Sequence, residues 1–287
     1  MPNVKDLRLR IRSVENTGKV TNAMSLVAAS KMRRAQQAVT QGRPFAEKIL
    51  EVIAHLAAQP ADDSGQIQDL LQVRQVQRVG IVVVSPDRGL CGGMHSNLNR
   101  RVDRFIREQQ APVRVIAVGR KGRDFVVRTG QDVQAVFTGL GERPEVADTT
   151  AISQMVIDSY SQGEVDEVHL AYTRFVSTVS QEPEVVRLLP VTPAQLTGAE
   201  RTGYIYEPDN LTVLESLLPR FVEMEIYHYI LESIASEQSS RMVAMRAATD
   251  NANELVDDLT LVMNKLRQDS ITNELLDLIG GQMALEG

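Results

Sequence analysis

The sequence predicts an α/β protein: a long antiparallel coiled coil of its N- and C-terminal helices plus a central α/β domain. Three observations carry this. Both ends keep a seam of mostly apolar residues at alternating three- and four-residue steps for about fifty residues. The middle alternates short apolar blocks with amphipathic stretches, as strands and helices do. The ends are also electrostatic opposites, with ten Lys and Arg against four Asp and Glu in residues 1–58, and five against fifteen in residues 205–287. The boundaries read as 1–58 for the first helix, 75–195 for the central domain and 209–287 for the last helix.

The first helix carries its seam through Val4, Leu7, Ile11, Val14, Gly18, Thr21, Ser25, Ala28, Met32, Ala35, Val39, Gly42, Ala46, Ile49, Ile53 and Leu56. Small and polar residues from Gly18 to Ala28 let a partner helix approach closely, with less apolar area to bury. Pro44 is expected to kink or break the helix, because it lacks an N–H and its ring crowds the carbonyl one turn back.

In the middle, Val79–Val84 (VGIVVV) reads as a buried strand, followed by the turn SPDRGLCGG and an amphipathic helix over Ser96–Gln109. Val113–Val118 is a second strand, Lys121–Thr129 a short helix, Val133–Phe137 a third strand and Pro144–Gln162 a helix. Glu167–Tyr172 and Val185–Leu189 complete the strands. Such alternation, with strands apolar throughout, implies a mainly parallel sheet covered on both faces, a Rossmann-like arrangement.

The last helix has neither Gly nor Pro from Arg220 to Ile279. Its seam reads Leu217, Arg220, Met224, Tyr227, Leu231, Ile234, Gln238, Arg241, Met245, Ala248, Ala252, Leu255, Leu259, Val262 and Leu266. Asn210 is the expected N-cap and Gly280–Gly281 the expected stop. A lone helix of this length with an apolar stripe is unstable in water, so the two ends must pair with each other or with another chain. Opposite charge favours mutual, antiparallel pairing. Gln238 and Arg241 on the seam either fix register or face a third partner.

Composition excludes several functions. Of 287 residues, six are Tyr, six Phe and none Trp, so the interior must be aliphatic. A single cysteine, Cys91, rules out an intrachain disulfide or a thiolate metal cluster, and fits a reducing compartment. His55, His95, His169 and His228 are scattered without metal-ligand spacing. Lys5, Arg8, Arg10 and Arg12 interrupt the apolar residues of the N-terminus, which therefore reads as neither signal peptide nor membrane span, and no later apolar run approaches the ~20 residues a span needs.

The loop Ser85–Gly93 lies where phosphates are often held, yet it matches neither GxxxxGK[ST] nor GxGxxG. Cys91 beside Arg88 has no histidine predictably placed as its base, so a packing turn or partner contact outweighs a reactive thiol. Asp257 and Asp258 read as a solvated face. The basic cluster Lys31, Arg33 and Arg34 has no stacking aromatic nearby on an acidic chain, which favours a protein partner over nucleic acid. No catalytic, cofactor-binding or metal-ligating residue is expected. The rival readings are a Rossmann-like nucleotide-binding protein with coiled-coil arms and a structural coiled-coil adaptor.

Four stretches then take the reading further: IRSVENTGKVTNAMSLVAASKMRRAQ (11–36), SPDRGLCGG (85–93), YIYEPD (204–209), and ASEQSSRMVAMRAATDNA (235–252) with NKLRQDSITNELLDLIGG (264–281). Together, in this order, they closely resemble the gamma subunit of F-type ATP synthase. The resemblance implies a non-catalytic rotor whose terminal helices form an antiparallel coiled coil inside a hexameric ring of alpha and beta subunits. It implies a central domain that forms a foot with the epsilon subunit on the c-ring of Fo, and proton-driven rotation coupled to conformational cycling of the beta sites. It implies membrane association through the complex alone, expected at the cytoplasmic face of a bacterial plasma membrane.

Matched by motif, Met24, Lys31, Arg33, Arg34, Arg241, Gln268 and Thr272 are expected to meet the ring. Arg88, Gly89 and Cys91 are expected near the lower lobes of beta, and Tyr204, Tyr206 and Glu207 at the foot. Polar seam residues such as Arg241 would face the surrounding subunits. Gly18, Asn22 and Ser25 depart from the bulkier or charged residues frequent in the family. The two-cysteine insertion of the chloroplast form is missing.

Overall fold

The computed structural model describes residues 3–57, 69–192, 207 and 209–286. Tyr204 and Tyr206 lie outside the described residues. The chain divides into two units, Ala28–Arg241, and Met1–Val27 with Met242–Gly287.

The larger unit is built on a five-stranded sheet. Its strands are β1 (Val79–Val84), β2 (Val113–Val118), β3 (Asp132–Phe137), β4 (Glu167–Phe175) and β5 (Gln181–Leu189), in the order β3-β2-β1-β4-β5. β1 pairs in parallel with β2 and β4, Ile81 standing between Val115 and His169. β5 pairs antiparallel with β4, its mixed polarity and Pro183 suiting an edge strand.

Alternation along β1 separates two cores. Val79, Ile81 and Val83 pack with Leu98, Val102 and Phe105 of α2 (Met94–Glu108) and Val126 of α3 (Arg120–Arg128). Val82 and Val84 face the opposite way, toward Ile152, Val156 and Tyr160 of α4 (Val146–Ser161). α4 opens with a reciprocal cap, in which Asp148 accepts from the Glu145 backbone N–H at 2.7 Å. This second core also takes in Ile49, Ile53 and Leu56 of α1 (Val4–Ala57) and Leu214, Leu218, Phe221, Val222, Ile226 and Ile230 of α5 (Asn210–Glu286).

That burial corrects several expectations. α1 is not broken at Pro44 and runs on to Ala57. A proline in a helix interior costs ~3 kcal/mol, while fully burying Ile49, Ile53 and Leu56 returns ~1.5–3 kcal/mol each. α5 is capped by Asp209 rather than Asn210, the Asp209 carboxylate accepting from the Thr212 N–H at 2.9 Å. α5 also continues through Gly280 and Gly281 to Glu286, since neither takes the left-handed conformation that ends helices. Before Leu231 the buried face of α5 is Leu214, Leu218, Phe221, Ile226 and Ile230 instead of the expected Leu217, Arg220, Met224 and Tyr227, because this stretch packs on a sheet.

In the smaller unit the first turns of α1 meet the later part of α5. Leu7, Ile11, Gly18 and Ser25 are buried on one side, Met245 and Ala252 on the other. A Cβ on Gly18 would lie 3.4 Å from that of Ala252, and the Thr21 and Thr249 hydroxyls are 2.7 Å apart, so rising numbers on α1 meet falling numbers on α5. The pairing is antiparallel. From Arg267 to Gln282 every residue is exposed, including Ile271, Leu275, Leu276, Leu278 and Ile279.

Candidate partner-facing site

The loop Ser85–Gly93 is held from three sides. The Ser85 hydroxyl donates to the Val118 carbonyl at 3.0 Å and accepts from the Gly122 N–H at 2.6 Å, tying the end of β1 to the start of α3. The Asp87 carboxylate accepts from the Arg120 and Gly139 N–H groups, both at 2.9 Å. From α5, Ser240 donates to the Cys91 carbonyl at 2.8 Å and the Arg241 guanidinium to the Gly89 carbonyl at 3.2 Å.

These contacts belong to a longer polar stripe. Ser233 reaches the Val84 carbonyl at 3.5 Å, Ser239 the Thr178 carbonyl at 2.9 Å, and a Glu232 oxygen accepts from the Phe175 N–H at 3.3 Å. Val84 ends β1 and Phe175 ends β4, so α5 lies across the carboxyl ends of the two strands between which a doubly wound sheet binds its ligand. The neighbouring cavity, lined by Gly93, Asn97, Thr173, Gln181 and Ser240, is about 260 Å³. Nucleotide-sized ligands need more room.

Arg241 corrects the outward orientation expected for it. Its side chain is 11% exposed, pairs with Glu237 at 2.7 Å and holds Gly89. Burial pushes the Glu237 carboxyl up, and the Arg241 charge opposes this. Gln238, 2% exposed, is likewise internal.

The thiol alternative fails on the same geometry. Burial, then the Glu237 charge, raises the pKa of Cys91, with Arg241 only partly countering. A histidine does stand beside it, with His95 Nδ1 3.8 Å from Sγ, a neighbour the sequence reading missed although the four-residue spacing at a helix start could have shown it. His95 is held below the usual imidazole range by burial and by Lys121. A thiol raised and an imidazole lowered leave both neutral, the reverse of an activated pair.

Leu90 was also missed. It is 62% exposed and takes φ 65°, a conformation rarely held by a branched residue outside functional turns. Elsewhere, Lys31 pairs with Glu142 of the β3–α4 connection, its Nζ donating to Oε1 at 2.7 Å. Arg33, Arg34, Arg88 and Glu207 are exposed and Met24 half-buried. Gln268 and Thr272 are exposed, the Thr272 hydroxyl donating to the Gln268 carbonyl at 2.9 Å. The structure thus joins Arg241, Gly89 and Cys91 through hydrogen bonds of one loop and one helix turn, and pairs Lys31 with Glu142.

Among the described residues no group of three His, Cys, Asp or Glu could hold a metal ion, and no helix is long and apolar enough to cross a membrane. A sheet whose ligand crevice is filled by its own helix, joined to long helices, defines a structural subunit. The ATP synthase family model matches residues 3–285. The ATP synthase gamma chain of Dehalococcoides mccartyi (strain CBDB1) is 55% identical over 286 residues, covering 99% of this chain and all of the relative. That of Roseiflexus sp. (strain RS-1) is 47% identical over 289 residues, with 99% of each covered. Among solved structures, the central stalk/c-ring of Tetrahymena thermophila mitochondrial ATP synthase aligns with a TM-score of 0.60 and 26% identity, covering 80% of this chain and 99% of that one. A Euglena gracilis mitochondrial ATP synthase chain shares the fold, with a TM-score of 0.66 at 17% identity over 98% of this chain and 94% of that one. The chain belongs to the ATP synthase gamma-chain family, and is a non-catalytic stalk subunit of the F1 sector.

Proposed function

We propose that this chain is the rotor shaft that couples ion-driven rotation of a membrane ring to the conformational cycle of catalytic subunits. The observation that carries the reading is the end of α5, where Ile271, Leu275, Leu276, Leu278 and Ile279 lie exposed on an otherwise regular helix. An apolar helix end of this kind is at home only inside other protein. The alpha and beta subunits form the surrounding ring. Met24, Lys31, Arg33, Arg34, Gln268 and Thr272 face it, and Arg88, Gly89 and Leu90 present a rigid knob to the beta subunits, with Cys91 buried beneath it and Arg241 acting from behind to hold Gly89. Glu207, with Tyr204 and Tyr206, belongs to the foot that meets epsilon and the c-ring of Fo. The complex operates at the cytoplasmic face of a bacterial plasma membrane.

Reconstitution with three alpha and three beta chains tests this. A bead fixed to the foot domain should turn when ATP is added. An assembled, ATP-hydrolysing complex whose bead stays still would overturn the rotor reading in favour of a static adaptor.

A further inference from the structure

The near-neutral charge of the central domain conceals a segregation. α2 and α3 together carry eight Lys and Arg against three Asp and Glu, while the rest of residues 69–192 carries seven against twelve. Both helices cover the same sheet face, through Leu98, Val102, Phe105 and Val126, so their solvent sides form one surface. At the start of the two helices His95 of α2 lies within reach of the Lys121 charge of α3.

Part of this charge is neutralised locally. Arg107 pairs with Asp103 at 2.9 Å, Arg123 with Asp124 at 2.7 Å, Arg120 with Asp87 at 3.6 Å, and Arg101 reaches Glu108 at 4.0 Å. Arg100, Arg104, Lys121 and Arg128 have no ion pair among the described residues, and the three arginines are exposed. Arg100 and Arg104 stand four residues apart, hence on one side of α2.

We infer that the α2–α3 face is a docking surface for an acidic protein segment, with Arg100 and Arg104 as its fork-shaped anchors. Guanidinium groups match carboxylates two bonds at a time, and seven of the eight basic residues are arginine. A membrane is disfavoured because the apolar residues Met94, Leu98, Val102 and Phe105 of α2 are buried, leaving little to insert between lipids. Nucleic acid is disfavoured because the exposed side has no aromatic to stack on bases.

The first arm of the test uses the full chain alone and does not depend on the rotor reading. Fluorescein-labelled poly-L-glutamate should bind the parent chain, and Arg100→Glu with Arg104→Glu should weaken it by roughly tenfold or more. Arg8→Glu with Arg10→Glu, an equal charge change on α1, should leave it within about threefold. Equal losses in the two variants, or tighter binding of phosphatidylglycerol vesicles or duplex DNA than of poly-L-glutamate, overturn the inference. In the second arm a photo-crosslinker replaces Arg104 in the assembled ATP synthase. The expected product joins Arg104 to a peptide rich in Asp and Glu. A lipid adduct, a peptide lacking acidic residues, or no adduct in an assembled and active complex overturns the proposal.

Discussion

Gly119→Ala should be among the most damaging single-methyl additions to this chain. Gly119 has φ 92°, and a Cβ there would lie 1.9 Å from the Ser85 carbonyl oxygen. Nothing flexible can yield, since the obstacle is backbone. Relieving the clash means separating β1 from the start of α3, which breaks the 2.6 Å bond from the Gly122 N–H to Ser85 and the 2.7 Å bond from the Gly119 N–H to the Phe137 carbonyl. Backbone strain of ~1–3 kcal/mol and two stranded polar groups at ~1–3 kcal/mol each put the loss at about 4 kcal/mol or more. Two other glycines calibrate it. Gly139, at φ 79° in open space, should cost ~1–2 kcal/mol as alanine. Gly89, without a positive φ and with nothing within 4 Å, should change stability by less than ~0.5 kcal/mol. Hydrogen exchange of the β1 and β2 amides reads the series directly, and the Gly119 variant should exchange roughly a thousandfold faster than the parent. If Gly119→Ala proves insoluble, Gly122→Ala, whose Cβ would meet the rotatable Ser85 hydroxyl at 2.7 Å, should show an intermediate loss. Equal exchange rates in the Gly119 and Gly139 variants would refute the close approach of Gly119 to Ser85.

Three further outcomes are expected. Gly18→Ala should slow amide exchange around Thr21 by about fivefold, a helix-propensity gain of ~1 kcal/mol with a Cβ contact of 3.4 Å that the seam accommodates, whereas Gly18→Leu should overpack the interface and speed exchange. Burial raises the Glu225 carboxyl above its unfolded value, the Tyr229 hydroxyl opposing, so its contribution to stability is complete below the unfolded pKa of ~4.3 and lost as pH rises through the folded pKa. Glu225→Gln should therefore be more stable than the parent at pH ~7, with the gap closing on acidification below pH ~4, and thermal melts across that range check the sign. Ser239→Ala with Ser240→Ala removes the hydroxyls bonded to Thr178 and Cys91, at about 1–3 kcal/mol together, and should loosen the Ser85–Gly93 loop in exchange experiments while leaving β2 protected.

The central strands were legible because VGIVVV and VRVIAV are short apolar blocks that no helix period fits, whereas the edge strands DVQAVF and QEPEVVRLL are of mixed polarity and showed only in their apolar parts. α1 was legible because its three- and four-residue steps persist through both units, with Leu7, Ile11, Ser25, Ala28, Met32, Ala35, Ile49 and Ile53 of the expected seam all buried. α5 was not, since Leu214–Ile230 answers to a flat sheet and Met245–Ala252 to a slender helix, and a single heptad register cannot describe both. Gly119 and Gly122 escaped notice because a glycine pair in GRKG announces nothing until Ser85, more than thirty residues earlier, is known to lie against it. The candidate site was readable as a glycine-rich loop, but its support from Ser240 and Arg241 depends on contacts about 150 residues apart in sequence.

The serine row on α5 has one more consequence. In related sheet architectures the crevice it fills belongs to a diffusible guest that comes and goes with concentration. Here the guest is covalently part of the chain and is gripped by short hydroxyls that have almost no slack. Such a tenant cannot be washed out or competed away, so any signal reaching that crevice must travel as displacement of a helix rather than as occupancy.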